Sequence, residues 1–158
     1  MATIRKLRNR WQAQVRLNGI KPIAKSFAKK SEAVAWSKVT ESRVILGTYV
    51  DPREAERTLV SDLIDRYLEL LNKCNRADAS LMSRCKRLRG NLGAFSLAKL
   101  SVLNLSEYRD SRLHTDLANP ATVCHELNLL RRILRVANSD WGIAIPNGIP
   151  QVRLPKMP

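Results

Sequence analysis

From Thr3 to Leu17 apolar and polar residues alternate, with a break only around Asn9-Arg10. A period of two marks strands with one covered face. The pattern predicts strands over Thr3 to Arg8 and Trp11 to Leu17, joined by a turn at Asn9-Arg10. A two-residue hairpin there sets Arg8 opposite Trp11, Lys6 opposite Ala13 and Ile4 opposite Val15 on one side. Thr3, Arg5, Leu7, Gln12, Gln14 and Arg16 take the other side. Asn18-Gly19 predicts a turn, and Ile23 to Phe27 a third strand. Ser31 is expected to cap a helix to about Leu46, with Ala33, Trp36, Val39/Thr40 and Val44 at helical spacing. That helix would cover the Trp11/Ala13/Val15/Leu17 face and leave the Arg5/Gln12/Gln14/Arg16 face open.

Beyond residue 58 the period lengthens. Leu59, Leu63, Ile64, Tyr67, Leu68 and Leu71 form one helical stripe, and a second helix is expected from about Ala77 to Leu92, broken at Gly90 or Gly93. Ser101 caps a third through roughly His114, with Leu103, Leu105, Tyr108 and Leu113. Asn119-Pro120 opens a fourth, to about Asn138, whose apolar face is Val123, Leu127, Leu130, Leu134 and Ala137. Four amphipathic helices on short links predict a bundle, closed by Trp141. Between the two patterns Gly47 reads as a helix stop and Asp51-Pro52 as a turn. The expected division is therefore a sheet-and-helix domain at 1–47, a linker at 48–57, a helical domain at 58–142 and a second linker at 143–158.

Charge sharpens this division. The 158 residues carry 28 Lys and Arg against 14 Asp and Glu, a net of +14. Residues 1–50 hold 11 of the basic residues and only Glu32 and Glu41 as acids. That excess makes polyanions the first partners to consider. At 44 % hydrophobic residues the chain is not a disordered basic tail. No apolar run approaches the roughly 18 residues of a membrane span, and the first residues lack a secretory pattern. Cys74, Cys85 and Cys124 are an odd number without CxxC spacing, so thiols in a reducing cytoplasm are expected rather than a zinc site. No P-loop, paired-carboxylate site or Gly-rich cofactor loop is present, so neither a cofactor nor a small-molecule substrate is expected.

Arg pairs bidentately with guanine and Gln with adenine, and a β-ribbon fits the DNA major groove. The candidate reading face is therefore Arg5, Gln12, Gln14 and Arg16, with Lys21, Lys25, Lys29 and Lys30 for flanking phosphates. The alternative is a solvated polar face on a small sheet. In the helical half the dense cluster is Arg84, Lys86, Arg87 and Arg89, a phosphate grip or a solvated helix face. His125, Asn128, Arg132 and Arg135 lie opposite the apolar stripe of the fourth helix; Arg131 and Arg132 also have Glu126 within pairing distance along the helix.

Ile4 to Leu7, Trp11 to Arg16, Gly19, Ser26-Phe27, Lys30 to Ala33 and Ala35-Trp36 resemble the AP2-like arm-binding domain that opens many phage-type integrases. Leu97 to Ser101, Tyr108 to Leu113, Asn119 to Val123, Glu126 to Arg132 and Trp141 to Ile143 resemble the SAM-like core-binding domain of tyrosine recombinases. Asn147 to Lys156 looks like the linker leading to the catalytic domain of that family. Together the resemblances cover nearly the whole chain in the family's order. They depart from it at Val102, where a Pro is common, and at Lys73 to Ala77, where a Lys/Gly-rich segment is common.

The resemblance implies an α+β domain, with a three-stranded antiparallel sheet on one helix, followed by an all-α SAM-like bundle. It puts Arg5, Gln12, Gln14 and Arg16 at arm-type DNA sites, and Arg84, Arg87, Thr122, His125, Arg132 and Arg135 at core-type sites. Double-stranded DNA is thus the expected partner, with self-association on DNA and a location in the bacterial cytoplasm. The family's chemistry needs a Tyr nucleophile, two Arg and a His-x-x-Arg helix. Here His114 and His125 are followed three places on by Leu117 and Asn128, and Tyr49, Tyr67 and Tyr108 fall in the linker and on bundle stripes. The expected role is DNA binding as the N-terminal part of a site-specific integrase, without catalysis by this chain. A stand-alone DNA-binding regulator or integrase competitor, and a basic RNA-binding protein, are the alternatives.

Overall fold

The computed structural model describes residues 1–157. Its contacts divide into two compact units, Met1–Val50 and the chain from Asp51 onward.

The first unit is a three-stranded antiparallel sheet, β1 (Ala2–Leu7), β2 (Arg10–Val15) and β3 (Ile23–Phe27), in the order β1-β2-β3, packed on helix α1 (Lys30–Ile45). The hairpin turns at Arg8-Asn9, one residue earlier than expected, with Arg8 in left-handed backbone at φ 53°. Leu7 therefore pairs with Arg10, Lys6 with Trp11 and Ile4 with Ala13. Asn tolerates that backbone better than Arg, so turn chemistry alone does not set this register. Burial does: Ala13 and Val15 lie under α1, and a strand with one covered face must keep its apolar set there. β1 is displaced along β2 by two residues relative to the expected pairing, so the residues expected in the strands that remain there keep their predicted faces, while Arg8 passes into the turn and Arg10 into β2.

Helix α1 starts after Lys29 rather than at Ser31, and no side-chain oxygen caps it. Its buried stripe is Ala33, Ser37 and Thr40. These small residues let the helix lie close to the sheet, and the Ser37 hydroxyl donates to the Val34 carbonyl at 2.8 Å. Trp36 is half-buried against Phe27, with ring centroids 5.6 Å apart. Val39, expected on the stripe, is exposed because Thr40 takes the inward position. Gly47, at φ 69°, ends the helix as expected.

The second unit is helical: α2 (Pro52–Arg57), α3 (Val60–Lys73), α4 (Ala79–Leu92), α5 (Val102–His114) and α6 (Pro120–Ser139). Asp51-Pro52, expected as a turn, starts the short α2. The Asp51 carboxylate accepts from the Arg53 N–H, Pro52 fills the first position, and Ala55 is buried. Asp78 caps α4 through the Leu81 N–H, while Ser101 and Asn104 cap α5 reciprocally. Asn119-Pro120 opens α6 as expected. Leu63, Ile64, Leu88, Leu105, Leu127, Leu130, Ile133 and Leu134 form the centre of the core. Leu103 is exposed instead of joining the α5 stripe, where Leu105, Tyr108 and Arg112 point inward. Trp141 is half-buried, with the Arg66 guanidinium 4.4 Å from its ring centre. After α6 the chain runs back over the bundle, burying Ile143 and Val152. Arg109 donates to the Arg153 carbonyl at 2.9 Å, Arg131 to the Val152 carbonyl, and the Cys124 thiol to the Pro155 carbonyl at 3.6 Å.

The two glycines of the second predicted helix have opposite surroundings. Gly90 lies inside α4 with open space where a Cβ would stand. Gly93 ends the helix, and a Cβ there would fall on the Arg89 carbonyl and 3.1 Å from Ser61 Cβ. Gly90→Ala should raise stability by about 0.5–1 kcal/mol. Gly93→Ala should lower it by about 1–3 kcal/mol. Urea unfolding of the two variants checks both signs.

Candidate nucleic-acid interface

On the open face of the sheet, Arg5 stands across from Gln12, and Gln12 from Ser26; Thr3 stands across from Gln14, and Gln14 from Ala24. The Arg5 Nε–H donates to Gln12 Oε1 at 2.8 Å, and Arg16 donates to Gln14 Oε1 at 3.2 Å. Each guanidinium so fixes the orientation of a neighbouring amide. The remaining N–H groups of each Arg stay available for guanine O6 and N7, and each Gln keeps its N–H₂ for adenine N7 and the second lone pair of its Oε1 for adenine N6–H₂. The observed register adds Arg10 to this face, beside Leu7. Assigning Arg10 to the turn hid it; the signal was the period-two alternation, which continues from Gln14 and Gln12 to Arg10.

The lysines fall elsewhere. Lys25 pairs with Ala13, on the side opposite Gln12, and its ammonium lies 5.7 Å from the Phe27 ring centre. Lys30 and Lys6 lie 5.3 and 5.9 Å from the Trp11 ring centre. Lys21 precedes β3, and Lys29 is the first residue outside α1; both are exposed. The sheet thus presents arginines and glutamines on one face, while Lys6, Lys25 and Lys30 gather around aromatic rings on the other.

In the second unit, α4 and α6 line an open groove of about 410 Å³ with Ser80, Ser83, Arg84, Arg87, Thr122, His125 and Glu126. Four of the six residues expected at core-type DNA meet there: Arg84, Arg87, Thr122 and His125. Arg132 lines an adjoining groove of about 510 Å³ with Arg76, Arg84, His125 and Asn128. Arg135 lies three residues further along the same exposed stripe of α6, outside both grooves. Arg84 bonds to Ser80, at 3.3 Å to its carbonyl and 3.2 Å to its hydroxyl; Glu126 and Asp78 line the two grooves with it, but among the described residues no carboxylate makes an ion pair with it. Arg76, in the α3–α4 connection, and Asn128, on α6, join the site through tertiary packing that sequence spacing cannot supply.

Behind the groove lies a buried ionic cluster. Glu126, 1 % exposed, accepts from Arg112 Nε at 3.0 Å and from a terminal Arg112 nitrogen at 2.9 Å. The Tyr108 hydroxyl donates to Glu126 Oε2 at 2.6 Å, and Arg112 also reaches Asp116 at 2.9 Å. Glu126 therefore pairs across helices with Arg112 rather than with Arg131 or Arg132 along its own. The hydrogen bonds to Glu126 raise the pKa of Arg112 further, so it stays charged. Burial, then the bond to Glu126, pushes the Tyr108 phenol above its ordinary 10. Burial also raises the Cys85 thiol, which leaves it unreactive.

The phenol shift has a stability consequence with a definite sign. Unfolded Tyr108 loses its proton near pH 10 while the folded form keeps it. The contribution is therefore whole below pH 10 and is lost as pH rises from there through the folded value. Tyr108→Phe should cost about 1.5–3 kcal/mol at neutral pH and flatten the alkaline fall in stability. Urea midpoints from pH 8 to 11.5 for both proteins measure this.

Sequence comparison adds an independent line. A protein of Haemophilus influenzae (strain ATCC 51907 / DSM 11121 / KW20 / Rd), described as "Putative integrase/recombinase", is 30 % identical over 159 residues, taking in 100 % of this chain and 42 % of its own length. The chain thus spans less than half of that relative. No family profile and no solved structure matches it. Among the described residues no helix is long and apolar enough to cross a membrane. The sheet on its helix, and the helical region that follows, agree with the arm-binding and core-binding order of integrases. Over its whole length, then, the chain is similar in sequence to a protein described as a putative integrase/recombinase.

Proposed function

We propose that this chain binds double-stranded DNA as the N-terminal, DNA-recognising part of a site-specific integrase that integrates or excises a mobile element. The observation that carries this reading is the open sheet face, where Arg5, Arg10, Gln12, Gln14 and Arg16 align base-reading groups on a ribbon of major-groove width. The sheet unit takes arm-type sites and the helical unit takes core-type sites. In the helical unit Arg84, Arg87, Thr122, His125, Arg132 and Arg135 lie against the sugar-phosphate backbone, with no cofactor. Lys21 and Lys29 hold flanking phosphates at the sheet. Lys25 and Lys30 reach phosphates from beside their aromatic rings, around the edge of the sheet. Strand exchange belongs to the whole integrase, and chains bound at neighbouring sites associate on the DNA.

The experiment is footprinting of the chain on duplex DNA flanking its own gene, at two salt concentrations, with random duplex DNA and duplex RNA as competitors. Protected, salt-tolerant discrete sites support the reading. Binding that is equal on all duplexes and vanishes with salt overturns it, and preference for RNA points to the basic RNA-binding alternative. At a footprinted arm site, Arg5→Ala, Arg10→Ala or Arg16→Ala should each weaken binding by about 1–3 kcal/mol and relax sequence preference. Lys29→Ala should weaken binding to all sequences alike and reduce the salt slope by about one.

A further inference from the structure

Arg87 belongs to both the groove and the buried cluster. Its guanidinium is half-exposed on the groove wall, and its Nε lies 3.8 Å from Oε1 of Glu126. At that distance the carboxylate attracts the guanidinium without a short hydrogen bond. Glu126 already accepts two bonds from Arg112 and one from Tyr108, so its own charge is met from behind. The carboxylate therefore acts as a fixed anchor, immobilised between α5 and α6, with Arg87 drawn over it. Without it, Arg87 would be a long side chain free to rotate over an open groove, and ordering it on a phosphate would cost conformational entropy.

We infer that Glu126 is a positioning residue for phosphate binding: it holds Arg87 over the groove, while Arg112, shared with Asp116, offsets the carboxylate charge that would otherwise repel the ligand. The ligand is a backbone phosphodiester, seated among Arg84, Arg87, Thr122 and His125. This rests on the DNA-binding reading above and adds that a residue closed off from solvent sets the affinity of the groove. A carboxylate under a phosphate site acts in one of two ways. As an anchor it strengthens binding by ordering the arginine; as a competitor it weakens binding by holding the arginine back. The two predict opposite signs for its removal.

The test is a double-mutant cycle on the full chain with a labelled random-sequence 20-base-pair duplex, since phosphate contacts do not depend on sequence. Arg87→Ala should weaken binding about tenfold and reduce the salt slope by about one. Glu126→Gln should weaken it about three- to tenfold with the slope maintained, because the Arg87 charge stays. In the Arg87→Ala background the same change should move affinity less than twofold. Tighter binding by Glu126→Gln, or an effect that persists without Arg87, overturns the proposal. Circular dichroism checks folding of Glu126→Gln. If that variant does not fold, Arg87→Lys, on an exposed surface, decides: charge and slope remain, and affinity should still fall three- to tenfold. Wild-type affinity for Arg87→Lys overturns the inference. In parallel, the Arg87 Nε–H resonance should shift on DNA addition. No binding by the wild-type chain overturns the DNA reading itself; binding that is indifferent to Arg87 overturns only the role of the groove.

Discussion

A carboxylate taken out of water is tolerated only when other groups replace the lost solvation on every side. Glu126 meets that condition through two bonds from one guanidinium and one from a phenol. The requirement organises the helical unit. Arg112 and Tyr108 lie one turn apart on α5 and must face α6 together, which fixes the rotation of both helices. Apolar packing alone would tolerate small rotations and slides; a bidentate pair with a third donor does not. Removing any one member leaves a buried polar group short of a partner, so the cluster defines the packing more than it adds to stability. Its front edge is the floor of the α4–α6 groove.

How much of this was legible in the sequence depended on whether local pattern or long-range pairing decided the feature. Three strands and five long helices followed from periodicity, and Asn119-Pro120 and Ser101 marked helix starts because capping is local chemistry. The hairpin register was misplaced by two residues, yet the faces were right. Parity survives an even slip; Arg10 moved from the turn to the open face, and Arg8 from the strand into the turn. Asp51-Pro52 was ambiguous, since an acid before proline serves a turn and a helix cap equally well; the burial of Ala55 decides for the helix. Ser31 was misleading because α1 begins one residue before it, leaving Ser31 in the first turn.

The ionic cluster was out of reach for a different reason. Arg112 lies at an inward position of α5, where a pattern of apolar residues counts it as a polar interruption. Glu126 looked like a helix partner for Arg131 or Arg132, because spacing along one helix is the only pairing a sequence displays. Its true partners come from α5, 14 and 18 residues earlier. The same limit applied to the groove. Arg84, Arg87, Thr122 and His125 were each candidates on helix faces, and only the pairing of α4 with α6 makes them one site.

The two units hold their arginines by one device with different partners. In the sheet, Gln12 and Gln14 accept from Arg5 and Arg16, neutral amides that orient the guanidiniums and leave their full charge to a ligand. An exposed carboxylate in that place would cancel the charge and repel phosphate. In the helical unit the orienting group is a carboxylate, and the same objection would hold if Glu126 stood alone. Arg112 removes the objection from behind, where it makes no demand on the groove surface. An amide suffices where strand register limits motion, as for Arg5 and Gln12 on the ladder and for Gln14, whose partner Arg16 follows β2 directly. Over an open helix groove the backbone gives no such restraint, and a carboxylate whose own hydrogen bonds are met by Arg112 and Tyr108 draws Arg87 by charge, at 3.8 Å and without a short hydrogen bond.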